Sequence, residues 1–230
     1  MIFYGLSTLI LSGIKDILII GTKNYINNYI SHFKNGQNLG IRISYATQDS
    51  PNGIPEAFII GRDFIGSSPV ALMLGDNIIH GNDLSRILQE ANQSSKATVF
   101  GVKVNNPQSF GIAQLDIYGA LSKVIEKPKE DIGNLAIIGL YFFPNKIINY
   151  ALKLIKSDRG ELEITEIINL LLLNDLSSVK LQKLGRGFSW FDAGTPKSLL
   201  DASTYISVIQ ERQNILIGSP EEATVIMGNF

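Results

Sequence analysis

Asp76 stands where a carboxylate can meet a phosphate. It follows an apolar run, VALML at 70–74, that stops at Gly75, and Asn77 comes directly after it. So short a run, flanked by helical patterns, is expected to be a strand buried on both faces. In open α/β sheets the ligand crevice lies just beyond the carboxyl ends of such strands. A carboxylate there, with Gly75 letting backbone and ligand approach, suits a hard cation carrying a phosphate. Gly-Asp-Asn is also ordinary turn chemistry, so this segment alone does not decide.

Four more segments carry candidate chemistry. Gln48-Asp-Ser-Pro51-Asn-Gly53-Ile-Pro55 follows a strand pattern and opens a helix, so Gly53 could turn backbone amides toward a phosphate or a base. A plain proline-glycine turn explains it as well. Glu126-Lys127 pairs opposite charges at a strand end, able to hold a sugar hydroxyl and a phosphate, or simply a solvated edge. Trp190-Phe-Asp192-Ala-Gly194-Thr195 puts the single tryptophan beside a carboxylate in a glycine-bearing loop before a helix. Asp192 is either a partner for that helix end or a second carboxylate on the same cation as Asp76. Two carboxylates plus substrate phosphates is the usual way to hold Mg²⁺. Arg159-Gly-Glu161-Leu-Glu163-Ile-Thr165-Glu166 opens a helix, and acidic residues suit that end whatever the function. His32 and His80 lack an evident acidic or metal partner and are expected to be non-catalytic.

Composition narrows the alternatives. A chain of 230 residues with 45% hydrophobic and 18% charged residues can build one sizeable core. A net charge of −1 gives no electrostatic pull toward nucleic acid or anionic lipid. The absence of cysteine excludes disulfides and thiolate metal sites, and two histidines argue against a His-rich zinc centre. The apolar run at 9–20 is interrupted by Ser12, Gly13, Lys15 and Asp16, too short and too charged to span a bilayer. No basic leader precedes it, so a cytoplasmic protein without nucleic-acid or membrane partners is expected.

The elements needed to position these residues are visible as patterns. Helices are predicted over 3–12, 25–33, 55–64 and 84–91, with strands over 17–21, 41–47, 70–74 and 97–102 between them. That βαβ rhythm predicts a mostly parallel sheet covered by helices. Strands over 111–115 and 121–125 read as a hairpin, followed by a strand at 135–143. Helices at 146–155 and 164–173 and strands at 179–184 and 188–191 come next. Thr195-Pro196 and Ser219-Pro220 are helix-start devices. No repeat, linker or low-complexity tract interrupts the chain, so one compact unit is expected over 1–230.

In this order, GDNIIHG, FGIAQLD, VIEKP, GLYFF, RGELEIT and FSWFDAGT resemble the glucose-1-phosphate thymidylyltransferases, sugar-nucleotide pyrophosphorylases. The likeness covers nearly the whole chain to about Glu222. It implies a Rossmann-like, GT-A-like nucleotidyltransferase fold, α/β with a mixed sheet flanked by helices. The implied reaction takes dTTP and glucose 1-phosphate to dTDP-glucose and pyrophosphate with Mg²⁺, in a homo-oligomer. By motif, Asp76 and Asp192 would hold the metal and Lys127 the attacking phosphate. Gln48, Pro51 and Gly53 would border the nucleoside, with Asn77 near the metal and ribose. Gly111, Glu126 and Lys127 would line the sugar phosphate, Ile138 and Tyr141 would flank the sugar, and Trp190 would shape the pocket around Asp192.

Three departures accompany the likeness. The family's opening strand and GGxGTRLxP loop, which wraps the triphosphate, have no counterpart ahead of Met1-Ile2-Phe3-Tyr4. Pro55-Glu56 stands where the family usually has Ala-Gln. The terminal ATVIMGNF matches poorly and stops short of the family's last helices. The expectation is a domain truncated at both ends, with the lost strand's neighbours unpaired and little turnover. A sister enzyme using UTP or CTP, or a non-catalytic nucleotide-sugar binder, remains open.

Overall fold

The computed structural model describes residues 1–228; Asn229 and Phe230, part of the poorly matching terminus, lie outside the described residues. The strands are β1 (Asp16–Gly21), β2 (Arg42–Thr47), β3 (Val70–Met73), β4 (Asn77–Gly81), β5 (Ala97–Lys103), β6 (Gly111–Leu115), β7 (Leu121–Glu126), β8 (Leu135–Phe143), β9 (Val179–Lys183) and β10 (Phe188–Asp192). The helices are α1 (Ile2–Leu11), α2 (Ile26–Phe33), α3 (Glu56–Ile60), α4 (Arg62–Ile65), α5 (Leu84–Asn92), α6 (Ile147–Ala151), α7 (Ile164–Asn174), α8 (Pro196–Gln213) and α9 (Pro220–Ile226). The helix expected over 55–64 is broken at Gly61 into two short pieces, and the strand after Asp76 had not been expected at all.

β8 organises the largest sheet. Its sequence LAIIGLYFF has no polar side chain but the tyrosine hydroxyl, and nearly every residue is buried. β5 covers one edge of it. The other edge is shared: β3 pairs with its last four residues, and β6 with Ala136 near its start. All three pairings are antiparallel. The mixed α/β architecture is as expected, but the sheet is not mostly parallel: among the described strands, parallel pairing is confined to β1 with β2 and β5 with β9. The reason is that β8 enters the sheet in the reverse sense, and no feature of an apolar strand records its direction.

Alternating residues of β8 enter two cores. Ile137, Tyr141 and Phe143 pack with Phe58 of α3, Ile147 and Ile148 of α6, and Ile167, Ile168 and Leu171 of α7. Ile138, Leu140 and Phe142 pack with Leu88 and Ala91 of α5, Phe100 of β5, and Ile79 of β4. A further core joins α1, β1, β2, α2 and α9 through Leu6, Ile10, Ile17, Ile19, Phe33, Ile43 and Ala223.

A cleft of about 590 Å³ separates β1 from β3, lined by Ile17, Leu18 and Ile20 on one side and all of β3 on the other. Among the described residues β1 pairs only with β2 and β3 only with β8. This corrects the expectation of a strand buried on both faces: the four residues of β3 are half-buried because one edge opens onto the cleft. No helix among the described residues is long and apolar enough to cross a membrane.

The β8 sheet is held by the face that includes Phe100, a side chain with no exposed surface. Phe100→Ala is expected to destabilise the fold by about 3–5 kcal/mol, read from the midpoint of a denaturant titration.

Candidate functional site

The site is built around a fork. Between its pairings with β3 and β6, β8 leaves the Gly139 N–H without a strand partner, and the Asn77 side chain takes that place. Asn77 Oδ1 accepts from Gly139 N at 2.9 Å and from Trp190 Nε1 at 2.7 Å. Its Nδ2 donates to Asp76 Oδ1 at 2.9 Å. A side chain at Gly139 would collide with Leu74 and Asn77, so this glycine is what admits the amide. Asn77 was expected beside the metal and ribose as a nucleotide contact. Its residue surface is only 3% exposed and its amide is engaged by three protein groups. It orients Asp76 from within the protein.

Asp192 reaches the same place by pairing. β10 runs antiparallel to β4 with Asp192 opposite Asn77, and the Ala193 N–H donates to the Asp76 carbonyl at 2.8 Å. A side-chain carbon built on Gly194 would lie 3.2 Å from Asp192 Oδ1 and 3.4 Å from Asp76 Oδ2. The two carboxyl groups, 116 positions apart in sequence, thus face one small space that the glycine keeps open. Burial raises the Asp192 carboxyl above its ordinary range. The Gly194 N–H and the Lys127 charge oppose that rise, and the Asp76 charge adds to it. Trp190 stands edge-on to Phe110 with ring centres 5.2 Å apart, walling the site beside Asp192.

Glu126 and Lys127 close β7. Lys127 holds a left-handed backbone at φ 41°, and its N–H donates to the Phe110 carbonyl at 3.0 Å. A non-glycine residue in that region is strained, and such strain collects at functional sites. Its charge acts on both Asp192 and Glu126. Burial raises the Glu126 carboxyl and Glu163 raises it further, against Arg159 and Lys127. Gly111 lies opposite Glu126 in the hairpin; a side-chain carbon there would lie 3.1 Å from Glu126 Oε2 and 2.7 Å from Thr165 Cγ2. Its bareness therefore makes room for both.

Arg159 opens one of the candidate segments, but sequence reasoning gave it no role at the site. Its guanidinium lies 3.2 Å from Glu126, 3.4 Å from Glu163 and 3.5 Å from Glu161. The RGELE spacing shows the two nearby acids, but nothing local points to Glu126, which lies far away in sequence on β7.

The nucleoside-loop candidates are tied to this arginine loop. Gly53 sits at φ 108° in a parallel bridge to Leu162, and any side chain on it would strike the Leu162 backbone. Leu162 N donates to the Asn52 carbonyl at 2.7 Å, and Lys156 Nζ to Asn52 Oδ1 at 2.6 Å. Pro51 is exposed at the loop's tip, while Gln48 is half-buried and donates through Nε2 to Glu56.

The two residues expected to flank a sugar do not share a surface. Ile138 has no exposed area and packs against α5, whereas Tyr141 faces the other core, stacked on Phe143. Three positions apart on a strand, they must point to opposite faces. Tyr141 does lie near Glu126: burial, then the Glu126 charge, push its phenol well above its ordinary range. Ile138 is a core residue and does not border the site. His80 bonds the Tyr205 hydroxyl at 2.8 Å, its basicity lowered by burial, and His32 is packed between Phe3 and Phe33.

Residues 1–208 match the family model described as nucleotidyl transferase. The chain belongs to the nucleotidyl transferase family. The glucose-1-phosphate thymidylyltransferase of Xanthomonas campestris pv. campestris (strain B100) is 44% identical over 223 residues, spanning 96% of this chain and 75% of that protein. The protein of that name from Neisseria meningitidis serogroup A is 42% identical, with 96% and 77% covered. A Bacillus anthracis chain assigned as a glucose-1-phosphate thymidylyltransferase, solved with a sucrose, superposes with a TM-score of 0.78 at 32% identity, covering 89% of this chain and 81% of that one. A UDP-glucose pyrophosphorylase complexed with UDP-glucose superposes at 0.75 with 19% identity, covering 90% and 86%, a likeness of fold alone. The kinship inferred from the motifs of this nucleotidyl transferase therefore holds along the chain.

Ile138 gives the test of the division between core and site. Ile138→Val is expected to cost about 0.5–1.5 kcal/mol of stability in denaturant unfolding. It should leave the affinity for glucose 1-phosphate, measured by calorimetry, unchanged.

Proposed function

We propose that this nucleotidyl transferase transfers a thymidylyl group from dTTP to glucose 1-phosphate, giving dTDP-glucose and pyrophosphate. The observation that carries the reading is the single space faced by Asp76 and Asp192, with the Lys127 charge acting on the same ground. The names of the relatives that match 96% of the chain supply the substrates.

The donor set fits Mg²⁺. Two carboxylates share one opening, and among the described residues no cluster of three or more His, Cys, Asp or Glu side chains exists that would form an all-protein cage. That is the arrangement expected of Mg²⁺, which keeps waters and takes its remaining ligands from substrate phosphates. Asp76 and Asp192 would hold it, and its chemistry when bound is to neutralise charge on the phosphates.

The chain's own residues then have positional work. A phosphate oxygen of the sugar phosphate forms a bond to the α-phosphorus, and the bond from that phosphorus to the bridging oxygen of pyrophosphate breaks. Lys127 holds the attacking phosphate in line. Glu126 accepts from a sugar hydroxyl, its position fixed by Arg159. Asn77 and the Ala193 N–H keep Asp76 from turning away, so little reorganisation is left for the moment of reaction.

The raised Asp192 carboxyl sets the pH dependence. The metal needs the ionised form, so Mg²⁺ affinity should begin to fall on acidification at a higher pH than an ordinary carboxylate would give. In the metal-free protein the sign is opposite. A carboxyl whose folded value is raised favours the fold more as pH falls through that range. Asp192→Asn is therefore expected to leave the metal-free melting temperature unchanged or higher, and to remove the rise that Mg²⁺ with dTDP-glucose produces. A variant that melts far lower yet keeps that rise would exclude Asp192 as a metal ligand. In the parental protein, the absence of any Mg²⁺-dependent binding of dTDP-glucose would overturn the proposed activity.

A further inference from the structure

Glu56, the first residue of α3, has a defined task in the structure. Its Oε2 accepts from Gln48 Nε2 and its Oε1 from Asn52 Nδ2, the second at 2.8 Å. Asn52 cannot turn its amide round, because its Oδ1 accepts from Lys156 Nζ at 2.6 Å and a lysine ammonium only donates. Both Glu56 oxygens therefore face N–H groups. A carboxylate only accepts, so the Gln48 amide is fixed with its nitrogen toward Glu56 and its carbonyl turned elsewhere. Among the described residues no hydrogen bond is made to that carbonyl oxygen. The Gln48 backbone is anchored as well, its N–H donating to the Gly21 carbonyl at 2.9 Å.

An unconstrained glutamine amide presents donor or acceptor by rotating half a turn, so it reads nothing by itself. We infer that Glu56 is a specificity-determining positioning residue: by locking the Gln48 amide, it makes the base site select a pyrimidine that donates from its ring nitrogen. Thymine and uracil carry an N3–H that can donate to Gln48 Oε1. Cytosine N3 carries a lone pair, and two acceptors would then meet. A glutamine at position 56 would meet the fixed Asn52 N–H with its carbonyl and turn its own N–H toward Gln48, so it would no longer hold the Gln48 carbonyl free to accept from a base. This inference rests on the proposed function and on Gln48 bordering the nucleoside, as the family resemblance implies; it adds which residue fixes the sense of that amide.

The test compares calorimetric affinities for dTTP, dCTP and N3-methyl-dTTP, each with Mg²⁺, in the parental protein, Glu56→Gln and Glu56→Asp. The parental protein is expected to bind dTTP roughly tenfold tighter than either analogue, because each leaves the Gln48 carbonyl unpaired. Glu56→Gln should shrink that preference to about threefold or less, chiefly by gaining affinity for dCTP. Glu56→Asp, still an acceptor only, should keep part of it. The affinity for glucose 1-phosphate, which the proposed function places at Glu126 and Lys127 rather than at Gln48, reports that the variants are folded. A dTTP preference that survives Glu56→Gln unchanged, or parental binding indifferent to the N3-methyl group, would overturn the inference while leaving the proposed function standing. Failure of all three nucleotides to bind would overturn both.

Discussion

A single buried amide decides where the chemistry can happen. β8 exchanges one neighbour for another along its open edge, and the strand hydrogen bonding lapses at Gly139. An unpaired N–H in that setting would cost on the order of 1–3 kcal/mol. Asn77 fills the lapse, and because it is the residue next to Asp76, satisfying the sheet also aims the carboxylate. The same oxygen takes the Trp190 indole N–H, which ties β10, and with it Asp192, to the same joint. The need to satisfy backbone polar groups at a sheet junction and the need to converge two acids are met by one side chain.

Around that joint the protein tolerates charges it would otherwise avoid. Asp192 is held near Asp76, both half-buried, and Glu126 is held near Glu163. Arg159 relieves the second pair from within the protein. Among the described residues no salt bridge relieves the first, and the Lys127 charge acts on it only from the strand end. The two acids facing Gly194 are thus the less compensated group, which is the state expected of a pair completed by a ligand rather than by the fold. The strained backbone of Lys127 belongs to the same pattern, since strain of this kind collects at functional sites.

Much of this was legible in the chain. The abrupt stop of VALML at Gly75-Asp76 located a strand end, and the Trp-Phe-Asp-Ala-Gly-Thr loop located a second carboxylate before a helix. Both follow from local pattern, and their convergence follows from kinship. What local pattern did not show were relations across the sheet. The reversed direction of β8, the strand following Asp76, and the reach of Arg159 to Glu126 are all set by distant partners. The pairing of Ile138 with Tyr141 at one sugar was the avoidable error. An odd spacing on a strand already places them on opposite faces, whatever the family resemblance suggests. Glu56 was visible as a departure, but its meaning depended on finding Gln48 and Asn52 at its two oxygens.

The bridge between Gly53 and Leu162 has a bearing on how such sites diverge. The segments 48–56 and 156–163 meet backbone to backbone at Asn52, Gly53 and Leu162, so the shape of each depends on the other. Grafting the first segment alone from a relative would carry in a loop shaped for a different second strand of the seam. Exchange of the first segment within this architecture should therefore proceed by inheriting the two segments as a cassette, and recombination that separates them should cost the hybrid stability.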